Sequence, residues 1–342
     1  MTKAGIIGAS GYTGSELVRL LEMHPEVEIA AITSETHAGK KFSDLHPAYT
    51  DLVDHTLITS AQVKDVDLDV VFLALPHGVS MRFVEQFQER KIPIIDLSGD
   101  FRLSSPAVYE KWYKKDHSYP KGFENAVYGL PELNKAAISE AQLVANPGCY
   151  PTTCALALLP LAQEGKLKGQ RIIIDAKSGV TGAGVKPKES THFANVNDNF
   201  KAYGIKTHRH TVEIEETLSE SSNSKMKVQF TPHLLPIDRG ILATAYTTSE
   251  VISDDELQEI YHAAYYNHPF VRVVESPPEI KDVRGSNYCN VFPTYDERTG
   301  NIIVVSVIDN LMKGAAGQAI QNMNLMLQFD ETAGLKAFPL KP

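Results

Sequence analysis

Cysteine is scarce in this chain: Cys149, Cys154 and Cys289 are the only three in 342 residues. An odd count that small cannot build a disulfide framework, and its spacing fits no zinc site, so no metal is expected and the thiols are expected to be reduced. At least one is then available as a working thiol. Clustered Lys and Arg are missing as well, and the formal charge of −9 with a pI near 5.7 argues against capture of nucleic-acid backbones. Only a small local basic pocket stays compatible with that balance. Apolar runs stop short of the ~18–20 residues that cross a bilayer, and the start, MTKAGIIGASG, shows no basic segment leading into a long apolar stretch. A cytoplasmic protein with no membrane partner is the expectation. Repeats at solenoid periods and low-complexity tracts are absent too, and the most polar run, Ser219 to Lys225, reads as a loop. What remains, 43% hydrophobic and 22% charged residues, is the composition of an ordinary globular protein. At about 100–200 residues per domain, the length predicts two domains.

The first 150 residues alternate strand-like and helix-like segments, as a doubly wound α/β Rossmann domain requires. Ala4–Ile7, Val27–Ile32, Val70–Leu75 and Ile92–Leu97 are continuous apolar runs, which suit strands covered on both faces. Glu16–Glu22 and Val79–Arg90 carry apolar residues at helical spacing between them. After Cys149 the pattern changes to an α+β domain with a mixed or antiparallel sheet. Strands are expected over Arg171–Ala176, Lys225–Pro232, Ile241–Thr248, Val271–Glu275 and Ile302–Ile308, and helices over Thr152–Glu164 and Asp254–Tyr266. The boundary falls at residues 147/148, and residues 310–342, with a helix over Ala315–Leu327, are expected to return to the first domain.

Gly8-Ala9-Ser10-Gly11-Tyr12-Thr13-Gly14 lies between the first strand and the first helix. Glycines there let backbone approach a pyrophosphate, and the helix N-terminus supplies N–H groups and the positive dipole end. The second strand ends in Thr33-Ser34-Glu35, with Lys40 and Lys41 nearby. Small hydroxyls at its tip suit the 2′-phosphate of NADP, while Glu35 leaves NAD open.

Asn146-Pro147-Gly148-Cys149-Tyr150-Pro151-Thr152 forces a turn and sets Cys149 at a helix N-terminus, where the dipole favours thiolate. Cys154 sits among Ala155, Leu156 and Leu158 and reads as a buried core thiol, as does Cys289. His208-Arg209-His210, followed by Glu213, offers imidazole, guanidinium and a carboxylate able to orient a ring. Lys177 to Gly184 is a Gly-rich loop whose N–H groups could face a ligand, and Arg102 follows the fourth strand, where carboxylates or phosphates bind.

Taken together, GASGYTG (8–14), LSGDFRL (97–103), YGLPELN (128–134), ANPGCYPT (145–152), KSGVTGAG (177–184), HRHTVEI (208–214) and KGAAGQAIQNMN (313–324) resemble the N-acetyl-γ-glutamyl-phosphate reductase family, relatives of aspartate-semialdehyde dehydrogenase. Gly99 departs from the family's Ala, a change expected to matter little. The resemblance implies NADPH-dependent reduction of N-acetyl-L-glutamyl 5-phosphate in arginine biosynthesis. Cys149 would form a thioester, and a protonated His208 or His210 would serve the oxyanion, with His208 slightly favoured. It further implies Arg102, Arg209, Ser178 and Glu213 at the substrate. For NADP(H) it implies Gly8, Ser10, Gly11, Tyr12, Thr13, Gly14, Thr33, Ser34, Leu75, Pro76, Ser98, Gly179, Gly182, Asn310 and Gly314. A homodimer or homotetramer through the second domain's sheet is implied as well. The alternatives are a related acyl-phosphate reductase, acting on aspartyl or carrier-bound aminoadipyl phosphate, and a non-catalytic NADP-sensing protein.

Overall fold

Each apolar run of the first 150 residues lies in or around a short strand of one parallel sheet. In chain order the elements are β1 (Thr2–Ile7), α1 (Tyr12–Leu21), β2 (Val27–Ile32), α2 (Phe42–Leu45), β3 (Val70–Leu73), α3 (Ser80–Glu89), β4 (Ile94–Asp96), α4 (Pro106–Tyr113), β5 (Ala126–Tyr128), α5 (Pro131–Glu140) and β6 (Leu143–Ala145). The computed structural model describes residues 1–249 and 253–342. Among these, residues 1–147 and 315–336 form one unit, and residues 148–314 and 337–342 a second.

The first unit's sheet has the order β2-β1-β3-β4-β6-β5, parallel throughout. All residues of β3, β4 and β6 are buried, so the sheet is covered on both sides and its strands need no polar alternation. Strand order reverses at β1, and the loop after β1 opens at that switch point, where α/β sheets bind ligands. α4 and α5 both start on a Pro, and Ser105 caps α4 by accepting the Val108 N–H.

The second unit holds α6 (Cys149–Gln163), β7 (Ile172–Ser178), α7 (Phe193–Val196), β8 (Lys201–Ala202), α8 (His210–Ser222), β9 (Val228–Leu234), β10 (Ile241–Thr248), α9 (Asp254–Tyr265), β11 (Val271–Val273), β12 (Cys289–Asp296) and β13 (Asn301–Ile308). Its strands form a mixed sheet, β11-β12-β13-β10-β7-β9-β8. α6 packs on β10, β12 and β13, and α8 packs on α6 and β9. β7 and β10 alternate buried and more exposed residues, so one face carries the helices and the other does not.

The chain then passes through a one-turn π-helix (Met312–Ala316) into α10 (Gly317–Met326), which packs on α1, α5 and β4 of the first unit. The return is narrower than the expected 310–342. Residues 310–314 and 337–342 stay with the second unit, the tail because the Leu340 N–H donates to Arg284 O and Lys341 pairs with Asp282. Ser219–Ser222, expected as loop, continue α8, and the hydroxyls of Ser219, Ser221 and Ser222 donate back to carbonyls four residues earlier instead of competing for the backbone as turn formers.

α10 is seated by amides. Asn322 is fully buried, and its Nδ2 donates to Gly129 O at 2.8 Å and to Asn146 Oδ1 at 3.0 Å. Asn324 Oδ1 lies 3.0 Å from His24 Nε2. Replacing Asn322 by Ala leaves two buried acceptors without this donor, and we expect unfolding to become easier by about 1–3 kcal/mol. A urea melt reads this directly, and an unshifted midpoint would show that α10 is seated by apolar packing alone.

Candidate active site

The Gly8–Gly14 loop has the shape a diphosphate needs. Gly8 has φ +97, and a Cβ there would come within 2.5 Å of Ala74 O. A Cβ on Gly14 would collide with Gly8 O, so this glycine lets α1 start directly beneath the loop. Gly11 faces open space, and no side chain caps α1. Backbone donors and the dipole end are thus offered to an anion. Ser10, Tyr12 and Thr13 lie on the loop or in the first turn of α1, and the Gly8 N–H donates to Thr33 Oγ1 at 3.1 Å. Ser34 Oγ donates to Ser10 Oγ at 3.2 Å. Glu35 Oε1 accepts the Ser60 N–H at 2.9 Å, hydrogen bonding from the Ser60 side chain and then from its backbone lowers the Glu35 pKa, and Lys41 is paired with Asp54.

Leu75 and Pro76 follow β3, and the loop they begin is clamped to the segment after β4. Both oxygens of buried Asp100 accept the Gly78 N–H, at 2.7 and 3.0 Å, and His77 Nδ1 accepts the Gly99 N–H at 2.7 Å. Ser98 is buried, with its hydroxyl donating to Asp96 Oδ2 at 2.7 Å. Burial and the Asp100 charge push the Asp96 carboxyl up to about 6. Gly99 matters more than its sequence suggests: a Cβ there would collide with the Tyr113 hydroxyl, and Tyr113 is stacked on Tyr109 at 4.5 Å. Arg102 donates from Nε to Asn146 O at 2.7 Å and from Nη2 to Leu97 O at 2.8 Å, so two of its donors hold backbone.

In the second unit, α6 begins at Cys149 itself, three residues earlier than expected, with Gly148 as its extended N-cap. Cys149 is half-buried, whereas Cys154 and Cys289 are buried. Burial raises the Cys154 thiol far above its ordinary value, and Cys289 Sγ lies 3.3 Å from Ser306 Oγ. The chain offers one accessible thiol at a helix N-terminus, where the dipole favours thiolate. Glu213, expected to orient a His ring, makes a bond to backbone. From buried α8 its Oε1 accepts the Gly148 N–H at 2.8 Å and fixes the turn that carries Cys149.

The histidines lie together beside that turn. The His208 ring is 4.8 Å from His210, 5.5 Å from Tyr203, 5.7 Å from Tyr150 and 5.6 Å from Phe230. Burial, aided by the adjacent Arg209 charge, lowers the His208 pKa to about 4. Its Nδ1 accepts the His210 N–H at 3.2 Å, which leaves the ring proton on Nε2. Burial and this bond both favour a neutral ring with its proton on Nε2 over the expected imidazolium. Burial, with the Cys149 charge contributing, pushes the Tyr203 phenol up to about 12. Tyr150 and Tyr203 share a hydrogen bond of 3.3 Å. Their part in the cluster was invisible at the sequence level; only the adjacency of Tyr150 to Cys149 hinted at it.

The loop after β7 differs from expectation. The N–H groups of Gly179, Val180 and Thr181 donate to Gly240, Ile237 and Asp238 carbonyls, and a Cβ on Gly179 would come within 2.6 Å of Asp238 O. Its donors are thus spent inside the unit. Asn310 likewise accepts the Gly240 N–H at 2.7 Å and donates to Thr181 Oγ1 at 2.9 Å. Ser178 is buried with its hydroxyl donating to Gly179 O, while Gly182 stays exposed. Gly314 lies against Cys149, and a Cβ there would sit 2.8 Å from the Cys149 Cβ. Among the described residues no group of His, Cys, Asp and Glu could hold a metal, and no helix is long and apolar enough to cross a membrane.

Known proteins match this architecture from end to end. Residues 3–141 match the family described as semialdehyde dehydrogenase, NAD binding domain, and residues 149–310 match semialdehyde dehydrogenase, dimerisation domain. Over 347 residues the chain is 48% identical to the N-acetyl-gamma-glutamyl-phosphate reductase of Halothermothrix orenii, covering 100% of both. With that of Methanosphaera stadtmanae it shares 49% over 341 residues, 98% of each. Among solved structures, aspartate semialdehyde dehydrogenase II of Vibrio cholerae complexed with ASA has a TM-score of 0.72 at 17% identity, covering 96% of this chain and 98% of that one. Aspartate semialdehyde dehydrogenase with NADP from Candida albicans has a TM-score of 0.69 at 18% identity, again covering 96% and 98%. These structures share the fold.

The low value at His208 has a signed consequence. Its folded pKa of about 4 lies below the ordinary 6.5, so as pH falls the unfolded chain takes up the proton first. This contribution to stability is whole above about pH 6.5 and is lost toward pH 4. We expect the His208 ring to stay neutral by NMR down to about pH 4 and the stability loss over that window to be smaller in His208→Gln. A ring titrating near 6.5 would show that burial does not hold it neutral through that window.

Proposed function

The chain belongs to the N-acetyl-gamma-glutamyl-phosphate reductase family, and on that premise we propose that it converts N-acetyl-L-glutamyl 5-phosphate into N-acetyl-L-glutamate 5-semialdehyde and phosphate with NADPH, through a thioester on Cys149. The observation that carries the reading is the half-buried Cys149 at the start of α6, its turn held by Glu213 and flanked by a neutral His208.

Thiolate attack on the acyl carbon forms the C–S bond and breaks the C–O bond to phosphate. The resulting thioester accepts hydride far more readily than a carboxylate would. NADPH, when bound, supplies that hydride. Addition leaves an oxyanion on the Cys149 adduct, and the neutral His208 Nε2–H is the donor proposed to stabilise it. Collapse expels the thiolate and frees the aldehyde. No proton has to be delivered for that collapse, so a neutral imidazole suffices. His210 backs the ring of His208 through its own N–H, and the exposed Arg209 is offered to a substrate carboxylate or phosphate. Arg102, Ser178 and Glu213 remain in the proposed substrate set, though each spends donors or acceptors on its own framework.

The Gly8–Gly14 loop would hold the dinucleotide diphosphate, with Leu75, Pro76 and Ser98 along its path. NADP is favoured over NAD because Glu35 is committed to Ser60, and small hydroxyls, Thr33 and Ser34, stand at the end of β2. The uncovered sheet face carries Ile173, Tyr246 and Ile303 side by side on β7, β10 and β13, with Ile173 and Tyr246 more than a third exposed. A second copy of the chain covering this apolar row makes a homodimer, and pairing of dimers would give the tetramer. The proposed setting is arginine biosynthesis in the cytoplasm.

The decisive assay runs the reaction backwards, following phosphate-dependent reduction of NADP in the presence of N-acetylglutamate semialdehyde. Aspartate semialdehyde and NAD serve as competing substrate and cofactor. We expect turnover with the acetylated substrate and NADP, and a loss of at least about a thousandfold in Cys149→Ala with NADPH binding retained. Turnover of aspartate semialdehyde alone would overturn the substrate, and NADP binding without any turnover would favour a sensor.

A further inference from the structure

Asp309, the residue after β13, is fully buried. Its Oδ1 accepts the Leu311 N–H at 2.9 Å and the Met312 N–H at 3.1 Å, and its carbonyl accepts the Gly314 N–H at 3.0 Å. The last bond spans five residues and leads the chain into the π-helical turn Met312–Ala316, a geometry that chains adopt rarely and mostly at functional sites. Oδ2 accepts the Gly285 N–H at 2.7 Å and pairs with Arg239 Nε at 3.2 Å. The carboxylate thus ties the turn to two other segments of the unit.

What the turn presents is Gly314. A Cβ at this position would lie 2.8 Å from the Cys149 Cβ, 3.3 Å from its Cα and 3.2 Å from Ile308 Cδ1. Backbone therefore packs directly on the cysteine from one side, while Glu213 holds the preceding N–H from another. We propose that Asp309 is a positioning residue for the Cys149 nucleophile, acting through the π-turn that presses Gly314 against it. The inference rests on Cys149 being the nucleophile. Attack on an acyl carbon tolerates little displacement of sulfur, so a buttress that fixes Cα and Cβ controls rate without touching substrate.

The test uses the full chain without cofactor or substrate. Alkylation of Cys149 by iodoacetamide is followed across pH by peptide mass spectrometry, with Cys154 as internal reference, in wild type, Asp309→Asn and Gly314→Ala. Thermal melts establish that each variant is folded, and steady-state assays follow. Either variant, folded, should show a shifted pH profile of Cys149 alkylation and a kcat lowered about tenfold or more, and in Asp309→Asn the KM for NADPH should stay within about twofold of wild type. If Asp309→Asn does not fold, Gly314→Ala alone decides, since it adds one methyl at the contact. A folded variant with wild-type alkylation and kcat would overturn the buttress. Wild-type Cys149 reacting no faster than Cys154 would instead overturn the nucleophile reading.

Discussion

A carboxylate buried in a protein must be met by donors, and Glu213 meets part of that need with the N–H of Gly148. That one bond couples α8 to the turn that leads into α6. It holds α8 against α6, it occupies a donor at the N-cap of α6, and it leaves Cys149 as the first residue that the helix presents. Because α8 begins at His210, the same packing brings His208, Tyr150 and Tyr203 into one cluster. Much of the chemistry of the second unit follows from where this carboxylate is satisfied.

The cluster is mostly uncharged. Burial keeps His208 neutral and keeps the phenols of Tyr150 and Tyr203 protonated at neutral pH. A thiolate at Cys149 would then be among the few full charges in the neighbourhood, opposed by the dipole of α6 and by Arg209 on the exposed side. An environment with little competing charge strengthens the interaction of any developing oxyanion with the donors aimed at it.

The two-domain plan was legible because it is written in continuous apolar runs: β2 and β10 occupy their expected residues without change, and β1 and β3 shift only at their ends. The Cys149 turn and the Gly8–Gly14 loop were legible for a different reason, since Pro and Gly dictate backbone locally. What escaped depends on partners far along the chain. β5 and β6 are three residues each, too short to leave a period, and β12 contains Pro293. The amides of α10 find their partners at Gly129, Asn146 and His24, far away along the chain. The Gly-rich segment after β7 reads as a ligand loop, whereas its donors meet carbonyls near residue 240. Glu213 was noticed, but whether it meets a ring or a backbone N–H is decided by helix packing that no spacing rule contains.

Gly99 and Tyr113 illustrate how a family pattern can mislead an engineer. Restoring the family's Ala at position 99 would look like a safe consensus repair, yet it drives a methyl into the Tyr113 hydroxyl. Tyr113 cannot simply swing away, since its ring is stacked on fully buried Tyr109 and abuts His77 at 5.2 Å. A side chain at position 99 therefore has to be accompanied by a change at 113 that makes room for it, so a repair chosen one position at a time would be read as destabilising when the fault lies in its neighbour.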